Sequence, residues 1–211
     1  MIYMVKKNGS LKRAIFVFRA ILSAFVICCM LSMTKFDAQS HRIADSVVRL
    51  HILANSDSEE DQLLKLDVRN LVQDLCYNMY ENVQSRSEAE KIIEDRLPFI
   101  LDAVREEIRN SGYDYEVGGE LVNMYFTNRT YDNITLPAGY YHALRITIGE
   151  GKGHNWWCVM YPPICISCAE KRADISDVLD ENTTKLVTDK SYKYDFKVYE
   201  LYRNFTEKLK E

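Results

Sequence analysis

The chain has 211 residues, 47% hydrophobic and 27% charged, which suffices for one domain core and excludes a disordered or collagen-like chain. Four Pro and eight Gly exclude a Pro/Gly-rich low-complexity sequence. The net charge of −4 argues against a dedicated nucleic-acid binder, and it is unevenly spread: residues 1–36 hold six Lys/Arg and no acid, residues 37–211 hold 21 bases against 31 acids.

The basic head runs into fourteen uncharged residues, Ala20–Met33, a stretch that reaches back to Ala14 if Arg19 is tolerated. A positive segment ahead of an apolar run is the pattern of an export signal. The longer run nears the roughly 20 residues needed to span a membrane, with the lysines left in the cytoplasm and the body outside. Phe36-Asp37-Ala38 puts a bulky residue where a cleavage site prefers a small one, so an uncleaved anchor stays open beside a cleaved signal. Residues 1–38 are read as signal peptide or membrane anchor.

Ser46–Ala54 is rich in β-branched residues and reads as a strand, stopped by Asn55-Ser56-Asp57-Ser58. Ser58 and Asp61 approximate a capping box. Apolar residues at 64, 68, 71, 72, 75, 79 and 83 then mark an amphipathic helix. Ser87 and Glu90 open a second helical segment that ends at Asn110-Ser111-Gly112, with a kink or restart expected at Pro98. Tyr115–Phe126 is an imperfect strand in which Gly118-Gly119 predicts a bulge. Leu136–Gly139 is a turn, Tyr140–Ile148 a strand, Gly149–Asn155 a flexible loop, and Trp156–Tyr161 a strand ending at Pro162-Pro163. Asp174–Lys190 reads as polar and mostly loop, Tyr192–Tyr199 as a strand, and about 198–209 as a helix. The fold class is α+β: one domain, a mainly antiparallel sheet with two long amphipathic helices on one face, preceded by the N-terminal export or anchor helix. The functional domain is placed at 39–170, and 171–211 is expected to pack on it.

Few residues point to chemistry. Gly149-x-Gly151-x-Gly153 with Lys152 lacks the GxxxxGK[ST] spacing of a P-loop, and the Trp-Trp and Pro-Pro that follow cannot start the helix a phosphate site needs. His154, Cys158, Cys165 and Cys168 could supply four zinc ligands. A Cys158–Cys165 disulfide competes, because the two are equidistant from a reversal at Tyr161-Pro162, and free thiols are the third option. His51, Asp57, His142, His154 and Cys158 fall in no known catalytic signature. Trp156 and Trp157, adjacent on a strand, must point to opposite faces; one is core and the other is a natural binding anchor beside the glycine loop, unless both pack inward. No catalytic residue, metal, cofactor, nucleic acid or small-molecule substrate is assigned.

Three segments together resemble one family. They are Arg49–Ser58 with Glu60-Asp61-Gln62, Lys65-Leu66 and Val68-Arg69; Gly112–Val117; and Leu136–Arg145 running through Ile148–Val159 to Pro162-Pro163-Ile164-Cys165. The pattern is similar to the stage II sporulation protein R family of endospore-forming bacteria. It covers about residues 43–166, and Asn155-Trp156-Trp157-Cys158-Val159 with Pro162-Pro163-x-Cys165 is its most specific part. Cys168 is outside it. The resemblance implies a signalling protein and not an enzyme: one made in the forespore and exported into the space between forespore and mother-cell membranes. There it would activate a membrane-embedded aspartic-type protease of the mother cell, stage II sporulation protein GA, which cleaves pro-sigma-E. The expected partners are that protease and, through the N-terminal segment, a membrane. The contact surface is expected to include Gly151, Gly153, Asn155 and Trp156 or Trp157, with Arg49, His51, Asn55 and Asp57 beside them if strand and turn adjoin the loop. The competing readings are an exported zinc or thiol hydrolase using His51, His154 and Cys158, and a wall-binding module built on Trp156.

Overall fold

The computed structural model describes residues 2–80, 82–131, 134–163, 175–177, 179–189, 192, 196–197 and 199–203. The chain divides into two compact units, Met1–Gln39 and Ser40–Glu211. Helix α1 (Ile2–Ser46) supplies the first. From Leu11 onward it is long and apolar enough to cross a membrane, with a mean hydropathy of 2.5 in its most apolar stretch. Its Phe16, Phe18, Phe25 and Leu31 side chains are exposed. The last turns of α1 belong to the second unit, where Ile43 and Ala44 are buried.

The second unit is built on a four-stranded sheet in the order β2-β5-β1-β6: β1 Val48–Leu53, β2 Val117–Phe126, β5 Gly139–Ile148 and β6 Asn155–Tyr161. β1 runs parallel to β5 and antiparallel to β6, and β2 is antiparallel to β5. Two long helices, α2 (Glu59–Met79) and α3 (Arg86–Asn110), pack on one face. The fold class read from the sequence is the one observed.

Local chemistry sets the helix ends. Ser58 caps α2 by accepting from the Asp61 N–H at 3.2 Å, and three acids fill the first turn, where the helix dipole favours them. Leu64, Val68, Val72 and Cys76, four apart, form its buried stripe. For α3 the cap is Ser85, which accepts from Glu88 N–H, while the Glu88 carboxylate reaches back to the Gln84 N–H at 2.9 Å. The Ser-x-x-Glu pattern occurs twice here, and the earlier copy starts the helix, two residues before the expected one. At the other end Gly112 (φ 87°) donates to Arg109 and Tyr113 to Ile108, a Schellman motif. No break occurs at Pro98. The Glu94 carbonyl, which it leaves without a helical donor, is on an exposed turn open to water.

The helix-facing side of the sheet carries Leu50, Ile52, Leu144, Ile146, Cys158 and Met160 into one core with both helices. The other side is covered too. A hairpin of β3 (Arg129–Tyr131) and β4 (Ile134–Leu136), absent from the sequence reading, lies there with helix α4 (Glu181–Thr188). Asn128 ties this layer together: its amide donates to the Phe196 carbonyl and the Glu200 carboxylate, both at 2.8 Å, and its oxygen accepts from Ala138 N–H. Cover on both faces explains why β1 is buried along its length although it contains Arg and His.

Three further expectations fail. Gly118-Gly119 forms no bulge, since β2 pairs with β5 in unbroken register from Val117↔Ile148 to Phe126↔Gly139; the one irregularity lies between Val48 and Arg49 in the β1–β6 ladder. The expected loop over 174–190 contains α4, capped by Asp180, which buries Thr183, Leu186 and Val187 on one helical face. The expected strand at 192–199 is not formed by the described residues there. Phe196 and Tyr199, three apart, are buried, and residues 196–197 and 199–203 are helical.

Candidate functional site

The parallel strands β1 and β5 end at the same edge of the sheet, and the chain leaving each is sewn to the other. After β1 comes the turn Asn55–Ser58; after β5, the loop Gly149–His154, which enters β6. Lys152 N–H donates to Asn55 O at 3.1 Å, and Gly153 N–H to Ala54 O at 3.0 Å. Asn55 Oδ1 accepts from Glu150 N–H at 3.0 Å, and Asp57 accepts from His154 N–H at 2.6 Å. The loop expected to be flexible is therefore held through four of its backbone N–H groups, two bound to backbone carbonyls and two to side chains of the turn. Glycine makes this possible: a Cβ on Gly153 would stand 2.1 Å from Ser56 O, and Gly151 has φ 62°.

The turn is braced from below. Asp61, buried at the start of α2, accepts from the Asn55 amide and the Ser56 hydroxyl. Burial alone would raise its pKa, but these hydrogen bonds outweigh that and hold it below the usual carboxylate range. Lys65, one turn on, donates to Gln62 and to the His154 carbonyl at 2.9 Å, tying α2 to the start of β6; burial lowers its pKa. At the surface Asp57 also pairs with His154 Nδ1, and this contact first, then the His154 backbone, lowers the Asp57 pKa.

Behind the loop, on the sheet face turned away from α2 and α3, lies an aromatic and cationic stack. His51 is flanked in register by Arg145 of β5 and Trp157 of β6. Its ring stacks on Trp157 at 4.0 Å, and neither ring nitrogen has a hydrogen-bond partner. Burial, then the Arg145 charge, lowers its pKa to about 4, so it is neutral at physiological pH. Arg49 is wholly buried; its guanidinium lies over Phe126 at 4.2 Å and Tyr141 at 4.9 Å, and it donates to Cys158 O (3.0 Å) and Tyr131 OH (2.6 Å). Tyr131 and Arg129, two apart on β3, both meet β6: the Tyr131 hydroxyl donates to Trp157 O at 3.3 Å and the Arg129 guanidinium lies 5.4 Å from the Trp157 ring.

The structure thus brings Asn55, Asp57, Gly151, Gly153, Asn155 and Trp157 together at one edge. Arg49 and His51 lie behind that edge as interior groups, with no side-chain surface to offer a partner. The two tryptophans point apart as expected: Trp156 packs toward the helices with Arg69 at 4.4 Å from its ring, and Trp157 faces the other way. Cys158 is buried on the helix side, where Gln73 donates to its sulfur at 3.1 Å. The set His51, His154 and Cys158 is therefore not assembled, since His51 and Cys158 occupy opposite faces of the sheet. Cys165 and Cys168 lie outside the described residues, and among those described no three His, Cys, Asp or Glu could share a metal ion. Arg129 and Lys65 are not among the expected contact residues; Lys65 lies in a segment that carries the family resemblance, whereas nothing local in the sequence marks Arg129.

Fold and site define a small α+β domain that follows one apolar helix in the chain, with a backbone-ordered loop where its two central parallel strands end. The family described as stage II sporulation protein R (spore_II_R) matches residues 44–171, the whole sheet and both long helices included. Stage II sporulation protein R of Bacillus subtilis (strain 168) is 34% identical over 156 residues, covering 74% of this chain and 70% of that protein. No solved structure matches. The chain belongs to the stage II sporulation protein R family, and its role is that family's role in sporulation.

Proposed function

We propose that this protein is an exported forespore-to-mother-cell signal that activates a membrane-embedded aspartic-type protease, stage II sporulation protein GA, and so brings about cleavage of pro-sigma-E. The observation that carries the reading is the family match over residues 44–171, which contains the glycine loop and the turn sewn to it. The apolar helix behind a basic head fits export or anchoring with the body in the space between the two membranes. Activation by contact requires only that the protein bind the protease's active state better than its resting one, so no catalytic group of its own is invoked. Asn55, Asp57, Gly151, Gly153, Asn155 and Trp157 form the contact edge in this reading, with Arg49 and His51 supporting it from behind and Trp156 holding the opposite face of β6.

The test is co-expression of the chain with the protease and the sigma precursor in a non-sporulating cell, read by immunoblot. Cleavage that needs both proteins, and is lost when residues 1–38 are deleted, supports the reading; absence of cleavage with both proteins folded and correctly placed overturns it. Within the same proposal Cys158 pairs with Cys165. The expected mass-spectrometric result is a tryptic peptide of residues 153–171 that takes up an alkyl label at Cys168 alone before reduction and at all three of its cysteines after it.

A further inference from the structure

We propose that the groove beside Trp157 receives a carboxylate-bearing segment of a partner polypeptide, with Arg129 as its charged wall. The groove, about 460 Å3, lies between the hairpin and the loop and is lined by Arg129, Lys152, His154, Asn155, Asp57 and Trp157. This volume suits one or two side chains.

Charge accounts for the choice of ligand. Lys152 pairs with Glu150 at 2.8 Å, and His154 with Asp57. Arg129 has no such partner among the described residues. Its guanidinium rests on the Trp157 ring, and its Nε is buried without a hydrogen-bond acceptor. The same is true one layer deeper: Arg49, wholly buried, leaves Nη1 without an acceptor, and no described carboxylate neutralises it. Two arginine charges thus stand uncompensated behind one concave surface, on a body whose acids outnumber its bases. A half-buried guanidinium without an acceptor is a desolvation cost that a carboxylate removes, and the planar fork matches carboxylate geometry in a way an ammonium does not. Tryptophan and arginine at the centre of a concavity are also the residue types that carry most binding energy between proteins. That the ligand belongs to a polypeptide rests on the reading proposed above; the groove's preference for a carboxylate does not.

The full chain in detergent micelles, carrying Trp156→Phe so that Trp157 is the sole indole, is titrated with N-acetyl-hexaglutamate amide. Hexaglutamine and a soluble muropeptide serve as comparisons. A saturable change in Trp157 emission with hexaglutamate, absent with hexaglutamine and weakened as salt rises, is expected. Arg129→Ala should weaken it about tenfold. Lys152→Glu, at an exposed position where folding is not at stake, should weaken it as well. No saturable change, an equal response to hexaglutamine, a preference for the muropeptide, or unaltered affinity in both variants overturns the proposal. The two readings fail separately. Hexaglutamate binding without precursor cleavage in co-expression leaves the groove standing and removes the protease. Cleavage that both variants leave intact, with no peptide bound, does the reverse.

Discussion

His51 is held where a charge is unwelcome: between Arg145 and the face of Trp157, with no acceptor for either ring nitrogen. In the unfolded chain it takes a proton near its ordinary pKa of 6.5; in the native state it does not until about pH 4. Stability from this group is therefore complete above pH 6.5, falls as the pH drops through the window from 6.5 to 4, and falls no further below it, by up to about 3 kcal/mol in all. His51→Phe, which keeps a ring on Trp157, should flatten the dependence of Tm on pH across that window; an unchanged slope would refute the assignment. Gly153 is a second constrained residue, for a steric reason. Gly153→Ala sets a methyl 2.1 Å from Ser56 O, and because the obstacle is backbone a cost of about 1–3 kcal/mol in denaturant melts is expected. The sequence marked Gly153 as special without saying why, since its requirement comes from a turn nearly one hundred residues earlier.

At the scale of elements, α2 and α3 were legible because a 3.6-residue stripe and local caps suffice to specify them. Ser58→Ala removes the acceptor for Asp61 N–H and should cost about 1 kcal/mol in thermal or denaturant unfolding, with the sheet intact. The two copies of Ser-x-x-Glu around residue 86 show the limit of such signals: both satisfy the pattern, and the structure caps the helix with Ser85, where Glu88 closes the box by accepting from Gln84 N–H. The β3–β4 hairpin was illegible. Strands of three residues show no alternation, and what holds them is distant: Tyr131 on Trp157 O and on Arg49, Arg129 on the Trp157 ring. For the same reason Arg49 and His51 looked like surface groups. A polar residue alternating with Leu50 and Ile52 implies a solvated face unless a later segment covers it.

At the scale of the molecule, the expectation is that the head directs the body across a membrane. A reporter active only outside the cytoplasm, fused after Ser40, should be active, and the same reporter fused after Ser10 inactive; activity in both or neither would contradict the orientation. One aspect of the sheet bears on how such a passage works. β1 is the first strand to be synthesised, yet it lies between β5 and β6, so Arg49 waits for Ala143 on one side and Val159 on the other. Closing loops of that length before any ladder forms makes folding slow and late. Until the ribosome has passed Ile148, β1 has neither of its neighbours and the helices have no sheet built on it to pack against, and a chain in that state can still be threaded through a narrow pore.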